Sequence, residues 1–75
     1  MPKSKARSLW LKQLGDNIRR ERIAKSMTQQ QLAELAELNI RNVQRIEAGE
    51  IAVRFSTMVR LKKALNAPWE QLTPK

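Results

Sequence analysis

Two helix starts stand close together in the middle of this chain and leave almost no backbone between them. Thr28 is followed at the third position by Gln31, the spacing of a capping box, in which each side chain satisfies a free backbone N–H of the other residue. Leu32, Leu35 and Ala36 then share one apolar stripe, which predicts a helix from about Thr28 to Ala36. Asn39 is a preferred N-cap for the next helix, and Gly49 suits the left-handed residue that closes it. Only Glu37, Leu38 and Asn39 separate the pair. So short a connection keeps the two helices in contact, and the rest of the chain has to be built around them.

The flanks read as helix too. Leu11, Leu14 and Ile18 fall at i, i+3 and i+7 on a helix beginning near Ser8, and the same stripe reaches Arg22, where an apolar residue is expected. Downstream, Phe55, Met58, Leu61 and Leu65 outline a fourth helix with Asn66 as its left-handed stop. Pro68 suits the first position of a one-turn fifth helix, with Trp69 and Leu72 as its apolar contacts. Residues 1–7 have no apolar stripe and carry Lys3, Lys5 and Arg7. They are predicted to form a mobile basic arm ahead of a single domain at residues 8–75. At 75 residues there is room for one core only, and the scarcity of glycine and of β-branched runs makes the fold class all-α.

Composition narrows the chemistry. Cysteine and histidine are both absent, which removes disulfides, thiolate catalysis, zinc fingers and His-based proton transfer. There is no paired carboxylate set at catalytic spacing, no glycine-rich phosphate loop and no metal-ligand cluster, so neither an enzyme nor a cofactor nor a metal is expected. The net charge of +8 and pI near 11.0 point to a polyanionic partner. Residues 1–25 hold eight basic and two acidic side chains, residues 26–50 two and four, and residues 51–75 five and one, so the basic surface comes from the two ends. No run is long and apolar enough for a membrane span or a signal peptide, and the cytoplasm is the expected location.

The helix opening at Asn39 has two unlike faces. Val43, Ile46 and Glu47 lie on its inner side, and Arg41, Gln44 and Arg45 share the outer one. Glu47, like Arg22, is a charge on an otherwise apolar stripe, and the signs are opposite. The two are therefore predicted to pair, since a half-buried charge without a partner costs several kcal/mol.

The string TQQQLAELAELNIRNVQRIEAGE, Thr28 to Glu50, closely resembles the helix-turn-helix of the Cro/CI-type (XRE-like) repressors, and the likeness extends loosely from Leu14 to Leu72. Its matching residues are Thr28 and Gln29, Leu32, Ala33 and Ala36, Leu38 in the turn, Val43 and Ile46, and the closing Ile46-Glu47-Ala48-Gly49. Glu37 departs from the pattern, because the family prefers glycine there, and Arg54 and Pro68 replace helix-capping residues. The resemblance implies a compact five-helix lambda-repressor-like domain that binds double-stranded operator DNA as a homodimer and represses transcription, joining the nucleoid when bound.

It also implies roles for particular residues. The base-contacting positions are Ile40, Arg41, Asn42, Gln44 and Arg45. An arginine can make two parallel hydrogen bonds to guanine O6 and N7, and a glutamine can do so to adenine N6 and N7. Ile40 sits on the border of the two faces and meets either a thymine methyl or Leu38. Phosphate contacts fall to Thr28 and Gln29 at a helix start, where free N–H groups and the dipole favour an anion, to Arg54 ahead of the fourth helix, and to Arg22. One recognition helix covers only about four or five base pairs, so useful specificity needs two half-sites roughly 34 Å apart. Apolar residues near Trp69 and Leu72 are the expected contact between copies. Three rival readings stand beside this one: an antitoxin or other module that uses the same fold to hold a second protein, sequence-indifferent condensation of nucleic acid driven by charge, and a basic first helix lying on an anionic membrane, against which its apolar side is needed in the core.

Overall fold

The computed structural model describes the backbone of residues 2–75 and the side chains of residues 6–75. Helix α1 spans Pro2–Ala24, α2 Gln29–Ala36, α3 Ile40–Glu47, α4 Phe55–Leu65 and α5 Trp69–Leu72. All the regular structure among the described residues is helical, as the composition predicts. The first helix corrects the expected boundary: residues 2–7, predicted as an arm, are its opening turns. The side chains of Lys3 and Lys5, which belong to that basic segment, lie outside the described residues. A helix of 23 residues is about 34 Å long, close to the 36 Å longest extent of the molecule.

Local signals place the other helices. Thr28 Oγ1 accepts from the Gln31 N–H at 3.0 Å, and the Thr28 N–H donates to Gln31 Oε1 at 2.8 Å, closing the capping box. Asn39 Oδ1 accepts from the Arg41 N–H at 2.7 Å. Gly49 (φ 73°) and Asn66 (φ 51°) take the predicted left-handed stops. Glu37 is left-handed as well, at φ 57° and ψ 46°, so the turn keeps the glycine conformation without the glycine. Its N–H still bonds back to the carbonyls of Ala33 and Glu34. Pro68 sits one position earlier than predicted, as the N-cap of α5, and neither it nor Arg54 offers a side-chain cap.

Leu14 and Ile18 of α1, Leu32, Ala33 and Ala36 of α2, and Val43 and Ile46 of α3 meet Met58, Leu61, Leu65 and Leu72 in one core. Leu35 is a correction: it shares the predicted stripe of α2 yet is 61% exposed. The small Ala33 faces inward instead, so that the buried side of α2 is turned by about one residue. Phe55 is a second correction. It opens α4, but its ring is 75% exposed, because side chains lean toward the N-terminus of their helix and that of the first residue projects past its end. Leu72, expected at a contact between copies, is fully enclosed in the core of its own chain.

Two close approaches fasten α1 to the rest. Gly15 lies against the last turn of α3, where a Cβ would stand 2.6 Å from the Glu47 carbonyl oxygen and closer still to that of Ile46. At the other side, Asn17 Nδ2 donates to the Leu72 carbonyl at 3.0 Å and Arg20 Nη2 to that of Gln71 at 2.9 Å. The short α5 is thereby tied to α1.

Candidate nucleic-acid interface

The inner side of α3 is locked before its outer side can act. Val43, Ile46 and Glu47 are buried. Arg22 Nε donates to Glu47 Oε2 at 2.7 Å and Arg22 Nη2 to Glu47 Oε1 at 3.0 Å, a bidentate pair whose side chains are 12% and 3% exposed. The pairing expected from the two misplaced charges is thus formed, and it joins α1 to α3. Arg22 Nη1 also donates to the Met27 carbonyl at 2.8 Å, just ahead of α2. Such a fork fixes angle as well as distance, so rotation of α3 about its axis would break several bonds at once.

With that face held, Arg41, Asn42, Gln44 and Arg45 are all exposed. Arg41, Gln44 and Arg45 form the predicted ridge. Arg45 has the Glu50 carboxylate 3.8 Å away, with both side chains more than half exposed, a contact of little strength in water. Ile40 is partly buried and packs against the core, with the rest of its surface open beside the ridge. Asn42 lines an open groove of about 320 Å³ together with Ile46, Val53, Arg54 and Thr57. The structure therefore brings the base-contact candidate Asn42 and the phosphate candidate Arg54 to one groove.

The phosphate candidates are placed unevenly. Arg54 is exposed and carries no ion pair among the described residues. Thr28 is exposed at the start of α2, its hydroxyl oxygen accepting from the Gln31 N–H. Neither α2 nor α3 has an acidic residue in its first turn, which leaves both positive helix ends uncompensated for an anion. Gln29 is half-buried, and its amide donates to Glu47 Oε1 at 3.0 Å, so that one of its N–H groups is spent inside the protein. Arg22 uses three of its five N–H groups on Glu47 and Met27, and little of it reaches solvent.

Some residues that build this face were not singled out from the sequence. Gly15 permits the approach of α1 to α3, and its signal was an isolated glycine within a helical pattern. Asn17 and Arg20 hold α5 through backbone carbonyls, contacts that no sequence spacing announces. Ser26 takes φ 56° at the end of α1 and aims the chain into the capping box, again without a glycine to mark it.

A family model described as a helix-turn-helix domain matches residues 13–74. No curated protein sequence matches the chain. Among solved structures, the restriction-modification controller protein C.AhdI from Aeromonas hydrophila is similar, with 31% identity and a TM-score of 0.80 over 83% of this chain and 94% of that one. No helix among the described residues is long and apolar enough to cross a membrane. A capped helix pair held at its base by a buried ion pair, an exposed Arg/Gln ridge on the second helix, and these two likenesses together place the chain in the family of helix-turn-helix DNA-binding transcription regulators of the Cro/CI type.

Proposed function

We propose that this protein is a repressor that binds an operator as a homodimer, each copy inserting α3 into the major groove of one half-site. The observation that carries the reading is the division of α3 into a face pinned by the Arg22–Glu47 fork and a face that leaves Arg41, Gln44 and Arg45 open. A reading helix has to meet base edges with its backbone already fixed, so that binding does not also have to order it. In this arrangement Arg41 and Arg45 are suited to guanine, Gln44 and Asn42 to adenine, and Ile40 to a thymine methyl at the rim. Arg54 and Thr28 take phosphates on either side and set the register, while Gln29 and Arg22 support the face from beneath. The similarity to a restriction-modification controller protein supports a role in controlling gene expression. The work is binding, and no reaction is assigned to the chain.

The test begins with duplexes selected by the protein from a random pool, which yield the half-site and its spacing. Replacing Arg41 with Ala is expected to cost about 1 to 3 kcal/mol on the selected duplex and much less on random DNA. Equal losses on both would assign Arg41 to the phosphate backbone. A selection that returns no preferred sequence would leave only charge-driven binding, with its steep salt dependence. Copurification of a second polypeptide that occupies α3 would favour the protein-binding alternative.

A further inference from the structure

One side chain beside the reading ridge carries the wrong sign for the place it holds. Glu50 follows the last turn of α3, where the negative end of the helix dipole disfavours a carboxylate, and it lies at the end of a surface proposed above to meet a polyanion. It is exposed, yet its position is tightly set. Gly49, at φ 73°, turns the chain so that its own N–H donates to the Ile46 carbonyl at 3.0 Å and the Glu50 N–H to the Arg45 carbonyl at 3.0 Å. This is the Schellman arrangement, which sets the second residue after the cap against the residue at the start of the last helical turn, and an apolar contact commonly fills that place. Here charge fills it: Glu50 Oε1 lies 3.8 Å from Arg45 Nε.

The atoms in this contact decide what it can do. Nε is the guanidinium nitrogen nearest the carboxylate, so Nη1 and Nη2, which carry four of the five N–H groups of an arginine, are left for another partner. Guanine O6 and N7 take two parallel N–H bonds from such a group. Among the described residues Arg45 is the one member of the ridge with a carboxylate in ion-pair reach. Glu50 also lines an open groove of about 240 Å³ with Arg7 of α1, Gly49 and Ala52. The carboxylate thus has a second arginine near it, and the sum of the three charges stays positive.

We propose that Glu50 is a positioning residue for Arg45, holding the Nε side of the guanidinium so that its Nη groups meet a guanine in the groove instead of swinging to a phosphate. The inference rests on the reading of α3 as the groove helix and deepens it by dividing the two arginines of the ridge: Arg41 is free and Arg45 is buttressed. In water the pair is weak, because both side chains are more than half exposed. Docking removes water from the groove, and the same two charges then attract more strongly at a lower effective dielectric. A carboxylate deserted by its arginine would instead face the phosphates alone. Glu50 therefore favours DNA on which Arg45 has found its base and penalises DNA on which Arg45 has left for the backbone, so that discrimination comes from a repulsion as well as from a contact.

The experiment compares the full wild-type chain with Glu50→Gln, Arg45→Ala and the double variant that carries both. Each is put through selection from a random duplex pool, and fluorescence anisotropy then follows binding to selected and random duplexes over a range of salt. Circular dichroism melts check folding, and removing a carboxylate from the C-terminal end of α3 should leave the midpoint unchanged or raise it. The base pair whose preference Arg45→Ala abolishes is the one that Arg45 reads. Glu50→Gln is expected to relax the preference at that base pair by about fivefold or more, the low end of what a bidentate contact discriminates, and to leave the rest of the half-site as it was. It is also expected to bind random DNA more tightly, with a salt slope steeper by about 0.9 as Arg45 takes up one more phosphate. With Arg45→Ala in place, Glu50→Gln should relax no further base pair. Equal tightening on selected and random DNA with every base preference intact would make Glu50 a repulsive charge only and overturn the proposal. Relaxation at other base pairs, or an Arg45→Ala variant that keeps every preference, would overturn it too. A wild type that selects no sequence would overturn the operator reading and this inference with it, whereas a wild-type site that Glu50→Gln selects equally well overturns this inference alone.

Discussion

Replacing Glu47 with Gln isolates the electrostatic part of the junction between α1 and α3. The substitution is nearly isosteric, so it opens no cavity, and Gln Oε1 can still accept one hydrogen bond from the guanidinium. What is lost is the negative charge facing Arg22, in a site where the two side chains are 3% and 12% exposed. Breaking a buried pair from one side costs about 3 to 5 kcal/mol, because the remaining charge stays out of water without compensation. A chain of 75 residues has a total stability of roughly 4 to 11 kcal/mol, so the loss takes a large share of it. At about 4 to 8 °C per kcal/mol for a domain of this size, the melting midpoint followed by circular dichroism is expected to fall by about 12 to 40 °C. The exposed pair of Lys12 and Asp16, 3.2 Å apart with side chains 60% and 56% exposed, provides the contrast: Asp16→Asn should cost about 0.5 kcal/mol or less. A second arm replaces both buried partners, Arg22→Met with Glu47→Leu. It is expected to recover most of the stability, since an apolar pair carries no desolvation penalty, while the amide of Gln29 turns to solvent. If Glu47→Gln lowered the midpoint by no more than Asp16→Asn does, the junction would be held by packing alone and the reasoning would fail.

Three further outcomes follow from the backbone. Glu37→Gly removes a left-handed strain of about 1 to 2 kcal/mol, offset in part by the flexibility that glycine adds to the unfolded chain; a net gain of roughly 0.5 to 1 kcal/mol is expected in urea titration, and Glu37→Ala, which keeps the Cβ, should not reproduce it. Gly15→Ala raises helix propensity by about 1 kcal/mol but drives a Cβ into the carbonyls of Ile46 and Glu47; the expected result is net destabilisation in thermal melts, and a stabilised variant would show that α1 can withdraw from α3. Arg54→Ser supplies the missing cap of α4, worth about 1 kcal/mol in thermal stability, and removes a phosphate contact, so that it should weaken selected and random DNA alike and flatten the salt dependence of binding.

Most of the interface was legible in the sequence because its parts are local. A capping box, an N-cap asparagine and a left-handed glycine act within a few residues of themselves, so Thr28, Asn39 and Gly49 position α2 and α3 wherever the chain goes next. The Arg22–Glu47 fork spans 25 positions and was still readable, since two opposite charges on apolar stripes have few ways to be satisfied. The exposed ridge followed from the same periodicity. The sense of α2 did not: Leu32, Leu35 and Ala36 defined a plausible stripe, but the helix rotated to bring Ala33 inward, a choice made by the surface it meets.

The amino-acid order alone determined that this chain forms a bundle of capped helices and shows a basic, amide-bearing edge on the third, because turn chemistry and helical spacing are short-range properties. Only the tertiary structure decided which apolar side chains are core and which are surface. Leu72 and Phe55 are similarly apolar, yet one is fully enclosed and the other three-quarters exposed, since burial depends on what arrives from elsewhere in the chain. The same holds for Gln29, drawn toward Glu47, and for Trp10, brought beside Phe55 and Trp69 by the course of a helix longer than its apolar stripe required.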